Sequence, residues 1–141
     1  MIVDDAKQKV ALFLKNFYNK GNVGTGGNST FPSATSLDVP VLTSNASVTT
    51  SISSDTTIDF LLSLDGGTLE GNTIREIGFF SENMPVNDGD FTEMINEGVS
   101  PAVGSSEATG GASMLARIVF DAIGPFQSTD VLNFTFTMEV E

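Results

Sequence analysis

Strict alternation of apolar and other residues is the feature that most constrains how this chain can fold. The clearest alternating run spans residues 131–140, where the apolar positions are Leu132, Phe134, Phe136, Met138 and Val140. The same period of two runs through residues 57–64 and, over a shorter length, through residues 48–52. Because successive side chains of a strand point to opposite faces of a sheet, these runs predict strands with one buried face.

Three more strand-like runs, at residues 39–42, 74–80 and 114–120, bring the predicted number of strands to about six. Turn-forming residues separate the runs, which is typical of antiparallel sheets and not of a parallel α/β architecture. We therefore predict a mainly β fold, an antiparallel β-sandwich or sheet of about six to eight strands.

A helical period is clear only near the N-terminus. Apolar residues recur there at spacings of three and four, at Val3, Ala6, Val10, Phe13 and Phe17. This spacing places them on one face of a helix, so we predict one N-terminal amphipathic α-helix near residues 4–19. Asp4 or Asp5 would cap its start, and Gly21 would end it.

Charge divides the chain into two unequal parts. The formal net charge is −12, yet residues 1–20 hold four lysines and two aspartates, a net +2. The apolar helix face packs either on the chain's own sheet or into a neighbouring subunit, which a basic helix on an acidic body would favour. Val10, Phe13 and Phe17 are therefore candidate subunit contacts.

We expect no nucleic-acid partner, because nucleic-acid affinity depends on Lys and Arg, and the chain is acidic. We also expect no membrane partner, because no apolar run approaches about 20 residues.

The 141 residues are predicted to form one domain, since this length is enough to bury a core. Its parts would be the helix (1–20), a Gly-rich loop (21–36), a β core (37–80 and 113–141) and an inserted loop (81–112). The Gly-rich loop lacks the Lys-Ser/Thr pair and the preceding strand of a phosphate-binding loop.

The inserted loop has scattered apolar residues and could contain a short helical turn at residues 90–97. Phe91, Met94 and Ile95 are further candidate subunit contacts there. Acidic residues between positions 87 and 97 offer oxygen ligands, but their spacing does not match the twelve-residue calcium loop. An ordinary solvated acidic turn is the simpler interpretation, and we predict no bound metal.

The chain contains no histidine and no cysteine. These residues supply the commonest general base, the commonest metal ligand and the thiol nucleophile. The acidic residues are spread along turns and exposed strand faces, so no pair is marked out for acid–base chemistry. We predict that the protein is not an enzyme and has no cofactor.

The two arginines of the chain each lie inside an apolar, strand-like run. If these strands are neighbours, Arg75 and Arg117 can form structural ion pairs with Glu76, Glu70, Asp121 or loop carboxylates. An intersubunit ion pair is the alternative, because arginine is enriched at interfaces. We take Arg75, Arg117 and Glu76 as candidate structural ion-pair residues.

The same runs carry a resemblance to a known family. Residues 72–80 (NTIREIGFF) and 114–120 (MLARIVF), followed by a closing amphipathic strand, resemble small structural proteins of tailed bacteriophages. The family pattern reads I-x-E-(I/V)-G-(L/F)-F … (M/L)-x-(A/N)-R and occurs also in tail-fibre and collar-associated proteins. The N-terminal helix and the Gly-Thr-Gly sequence at Gly24–Gly26 agree with it as well. This chain departs from the pattern in its longer 81–112 insertion and in Gly124-Pro125-Phe126, where the family often has a lysine.

The resemblance implies a non-enzymatic virion protein of the tail, collar or neck, baseplate or fibre, assembled in the host cytoplasm. Its partners would be other virion structural proteins and further copies of itself, in multiples of three or six. A capsid decoration protein is the alternative and would be present in hundreds of copies. A carbohydrate-binding module is a further alternative, but the chain has no tryptophan and one tyrosine to stack on sugars.

Overall fold

The computed structural model describes residues 1–28, 34, 36–83 and 112–141. Within these ranges the elements are α1 (Asp4–Phe17), β1 (Lys20–Gly24), β2 (Ala46–Ser47), β3 (Thr49–Ser54), β4 (Thr57–Asp65), α2 (Gly66–Leu69), β5 (Ile74–Asn83), β6 (Ala112–Ile123) and β7 (Val131–Glu139). The strands form two antiparallel sheets, with orders β2-β1-β5-β6 and β3-β4-β7. The predicted mainly β fold with an N-terminal helix is confirmed.

The core lies between the two sheets and is built from their alternating apolar side chains. The Phe79 ring of β5 lies 5.8 Å from Phe60 of β4 and 5.5 Å from Phe136 of β7, measured between ring centroids. Residues of β4 are alternately buried and more exposed along the strand, as its sequence period predicts. The outward positions of β7 are likewise exposed, so period-two patterning identified the buried faces correctly.

Strand β1 corrects the predicted Gly-rich loop at 21–36. Residues 20–24 are the second strand of the four-stranded sheet, paired with β2 on one side and β5 on the other. Gly21 lies within this strand, and a Cβ at this position would lie 2.8 Å from the Val48 Cγ2 atom. Its glycine therefore serves a close approach inside the core, whereas composition alone had indicated a turn.

Helix α1 ends earlier than predicted, at Phe17, with Tyr18 at its C-cap instead of Gly21. Its N-cap is Val3, without a side-chain capping bond, and Asp4 and Asp5 occupy the first turn. In that turn they still interact favourably with the positive end of the helix dipole. None of the helices in the described ranges is long and apolar enough to span a bilayer.

Strands β5 and β6 are antiparallel neighbours, and residues 84–111 connect them along the chain. Regular structure continues past the predicted loop boundaries, because β5 reaches Asn83 and β6 starts at Ala112. The predicted helical turn at 90–97 and the acidic run at 87–97 lie outside the described residues.

Residues 39–42 were predicted as a strand, but the structure has only an isolated bridge there, between Gly24 and Pro40. Proline cannot donate to a strand ladder, which limits pairing at that point.

Candidate functional site

Arg117 and Glu76 form a buried ion pair on the face of β5 and β6 that points away from the core. The Nε atom of Arg117 lies 2.9 Å from Oε1 of Glu76, and their side chains are 2% and 0% exposed. Nη2 of Arg117 lies 3.0 Å from Oδ2 of Asp38, and Nη1 donates to the Asn28 carbonyl oxygen at 2.8 Å. We name Glu76, Arg117 and Asp38 the ion-pair cluster. It joins the two sequence runs that carry the bacteriophage resemblance.

Strand register explains why these two side chains meet. Gly78 of β5 is directly opposite Arg117 of β6 and has no side chain to fill the position. The guanidinium group can therefore extend along the sheet toward Glu76, two residues away on the same face of β5. A Cβ at Gly78 would lie 2.9 Å from Cδ2 of Leu37, so this glycine also admits the chain segment that covers the sheet.

The Glu76 carboxylate accepts four hydrogen bonds within the cluster. Oε1 accepts from the Asp38 backbone N–H at 2.9 Å and from Arg117. Oε2 accepts from the backbone N–H groups of Gly26 at 3.0 Å and Val39 at 2.9 Å. Both oxygens are saturated and the side chain is buried, so this carboxylate serves as a structural acceptor that joins the strand to the covering backbone.

Glycines of the Gly-Thr-Gly sequence allow the backbone to approach this carboxylate. A Cβ on Gly24 would contact Glu76 Oε2 and lie 2.6 Å from the Val39 carbonyl oxygen, and one on Gly26 would lie 2.7 Å from Glu76 Oε2. Neither glycine has a positive φ, so space and not backbone conformation determines the residue type. The third part of the family pattern thus meets the other two at the same carboxylate.

Arg75 behaves differently from Arg117. It is exposed on β5, and in the described ranges no ion pair involves it. Its guanidinium lies along the exposed Gly27, where a Cβ would be 3.6 Å from both Cδ and Nη1. The two arginines that the sequence presented as equivalent therefore have unlike surroundings, and the Glu70 and Asp121 carboxylates considered as partners are not used.

The candidate contact residues of α1 also differ in how deeply the fold buries them. Phe17 is 4% exposed and packs in the chain's own core region, with the Phe13 ring stacked on it at 5.1 Å. Val10 is 45% exposed, because the helix docks through a face that includes the fully buried Ala11. Phe91, Met94 and Ile95 lie outside the described residues. Among the three helix residues of the predicted set, Val10 is the most exposed.

Sequence reasoning allowed a loop carboxylate as a partner of Arg117 without naming Asp38, and it missed the Asn28 carbonyl oxygen. Both are far from it along the chain and lie in irregular segments, for which no periodic signal exists. The glycines at 24 and 26 were the available signal, because glycine marks close backbone approach as well as turns. Across the described ranges there is no group of three or more acidic residues placed to hold a metal ion.

The chain matches no protein-family model, and no curated protein is significantly similar to it. Inference about function therefore depends on the residues and contacts described above.

Proposed function

We propose that this chain is a structural protein of a tailed-bacteriophage virion, a tail, collar or neck, baseplate or fibre-associated component that acts through subunit assembly. The observation that carries the proposal is the convergence of three separate sequence matches on one buried cluster. Gly24 and Gly26, Glu76 and Arg117 come from different parts of the family pattern and contact one another. Short motifs that matched the pattern by chance would not be expected to contact one another in the folded chain.

Chemistry of the described residues supports assembly over catalysis. The buried charged side chains of the described residues belong to the ion-pair cluster, and their polar atoms bind one another and the backbone. No histidine or cysteine occurs in the sequence to serve as base or nucleophile. The described residues do offer exposed apolar side chains suited to protein contacts, on α1, at Val39, at Leu61 and at Ile123 and Val131.

Quantitative mass spectrometry of purified particles of the virus that encodes the chain tests the proposal. We expect the protein in the particles at a copy number that is a multiple of three or six, and electron microscopy with labelled antibody should place it on the tail or neck. Hundreds of copies on the head would instead identify a capsid decoration protein. Absence from particles, or specific binding on a glycan array, would contradict a structural role.

A further inference from the structure

The edges of a β-sheet present backbone hydrogen-bonding groups that have no strand partner. In the described residues four strands lie at an edge, β2 and β6 in the four-stranded sheet and β3 and β7 in the three-stranded one. Natural proteins usually keep such edges from pairing with another chain by short strands, bulges, prolines or charged side chains. Three of these four strands have such features, and β7 does not.

Strands β2, β3 and β6 are short, irregular or charged. Strand β2 has only two residues. The register of β3 shifts between Ile52 and Ser54, and α1 lies beside this strand. The pairing of β6 with β5 shifts at three points, and β6 carries the charged residues Arg117 and Asp121. Each of these edges is therefore a poor template for a further strand.

Strand β7 is long, regular and nearly uncharged. It spans nine residues, and all nine pair with β4 without a break in register. It contains no proline, lysine or arginine, and its one charged residue is Glu139 at its end. Within the part of the chain that the structure describes, its second edge has no strand partner. We name this edge the open edge.

Two hydrogen bonds show which backbone groups of β7 face the open edge. The Val140 N–H donates to the Thr56 carbonyl oxygen at 2.9 Å. At the other end, the Gly66 N–H donates to the Asp130 carbonyl oxygen at 2.6 Å. Even-numbered residues of β7 therefore bond to β4, because residues of an antiparallel strand alternate between facing the partner and facing away. The odd-numbered residues direct their N–H and C=O groups to the open edge. They are Val131, Asn133, Thr135, Thr137 and Glu139.

The core beneath the open edge is incompletely covered. Phe60 of β4 is fully buried, whereas its partner Phe136 in β7 is only half-buried. Leu62 and its partner Phe134 differ in the same way. A further strand beside β7 would cover both rings and would also bond the odd-numbered backbone groups. The chemistry of the open edge therefore selects an extended strand as its partner.

We propose that β7 of one copy pairs antiparallel with β7 of a second copy, about a twofold axis at Thr135. This inference rests on the proposed function, because it names a contact through which the copies assemble. At this register the two Thr135 residues lie opposite each other, Asn133 lies opposite Thr137, and all nine residues of the strand are paired. Cross-strand pairs between hydroxyl side chains stabilise a sheet, as do pairs between aromatic ones.

Charge permits this pairing even though each copy has a formal net charge of −12. Glu139 would lie opposite Val131, so neither carboxylate of the paired strands would lie opposite the other. The two Glu139 residues would be about 27 Å apart at the usual rise of a strand. The open edge is thus complementary to itself, which favours a second copy over an unrelated strand. Three such pairs around a threefold axis give six copies, one of the numbers expected for a tail component.

A single introduced thiol tests both the contact and its register, because the chain has no cysteine. Thr135→Cys should form a disulfide-linked dimer under mild oxidation, since opposite residues with bonded backbones have Cα atoms about 5.5 Å apart, within disulfide reach. Thr49→Cys is the matched control, because both threonines are exposed and both are paired with Leu61 in one row of the sheet. Non-reducing electrophoresis compares them, and equal cross-linking would contradict the contact.

Sedimentation velocity across protein concentrations tests the association without a cross-link. We expect the full-length chain to form a concentration-dependent dimer. Thr135→Lys should weaken it at least tenfold, because two lysines would lie opposite each other, and Thr49→Lys should leave it unchanged. The far-ultraviolet circular dichroism of both variants should match the wild type. A wild-type chain that is monomeric at every concentration would overturn the contact.

Amide hydrogen exchange followed by NMR separates pairing between copies from pairing within one copy. The amides of Asn133, Thr135 and Thr137 should be protected only at concentrations where the dimer forms, whereas those of Phe134 and Phe136 should be protected throughout. Protection of the odd-numbered amides in the monomer would overturn the contact. A monomeric chain found in virus particles would overturn it and leave the proposed function standing; a dimer absent from particles would do the reverse.

Discussion

Arg117 and Arg75 show how much the same residue type can differ in role within one strand pair. Arg117 uses Nε, Nη1 and Nη2 on three different acceptors while almost fully buried. Arg75 is exposed and has no ion pair in the described ranges. A lysine can supply charge but not the planar fork that reaches several acceptors at once.

We expect Arg117→Lys to lower the free energy of unfolding by about 3 kcal/mol, since it leaves buried acceptors without donors. Arg75→Lys, its matched control, should change the same quantity by less than about 0.5 kcal/mol. Urea unfolding followed by circular dichroism measures both. Equal effects would show that the ion-pair cluster does not hold the fold.

Gly24 and Gly27 provide a second matched pair beside the same cluster. A Cβ on Gly24 would lie 2.6 Å from a backbone oxygen, whereas the nearest atom to one on Gly27 is 3.6 Å away. Gly24→Ala should therefore cost about 1–3 kcal/mol of stability through overpacking. Gly27→Ala should be within about 1 kcal/mol of the wild type, with any gain coming from reduced freedom of the unfolded chain. Thermal unfolding compares the two, and a tolerated Gly24→Ala would refute the close approach.

Helix α1 docks on its own sandwich through one part of its apolar surface and leaves another part outside. Phe17→Ala should destabilise the chain by about 3–5 kcal/mol, because the ring is 4% exposed and its removal would leave a cavity. Val10→Ala should cost less than about 0.5 kcal/mol in dilute protein, where copies are separate. Denaturant unfolding at low concentration distinguishes them; similar losses would mean that Val10 is buried within one copy.

Asp65 is the N-cap of the short helix α2, and its Oδ1 accepts from the backbone N–H and the hydroxyl of Thr68, both at 2.9 Å. These hydrogen bonds, the backbone one first, lower the pKa of Asp65 from its ordinary value of 3.8. A depressed folded-state pKa contributes stability above the unfolded-state pKa, and this is lost as the pH falls through the folded-state value.

Asp65→Ala should therefore be less stable than the wild type at pH 7, and the gap should narrow as the pH falls from about 5 to below 3. Melting temperatures of both proteins across this pH range measure the effect. A gap that stays constant with pH would show that the cap does not depend on the charge of Asp65.

Sequence periodicity predicted those elements whose burial follows a regular spacing. β4, β7 and most of α1 were found this way, because one face of each meets the core. β1 was missed, since Gly21 and Gly24 serve close contacts that leave no apolar pattern. Among the loop carboxylates left open as partners of Arg117, Asp38 could not be singled out, because it lies in an irregular segment whose position depends on the completed sheet.

In the whole molecule, the residues that build the fold differ from those left accessible to partners. The resembling motifs meet in the buried ion-pair cluster, whereas exposed apolar side chains occur on α1, at Val39, at Leu61 and at Ile123 and Val131. Assembly between copies is the central claim, and it concerns contacts that one chain cannot make with itself.

Zero-length carbodiimide cross-linking of a mixture of ¹⁴N- and ¹⁵N-labelled protein tests this claim most directly. The reagent joins a lysine to a carboxylate only when they touch, and the mixed labels report whether the two come from different copies. We predict cross-links of mixed label, because assembly through subunits requires contacts between copies. Cross-links confined to a single label would contradict assembly between copies.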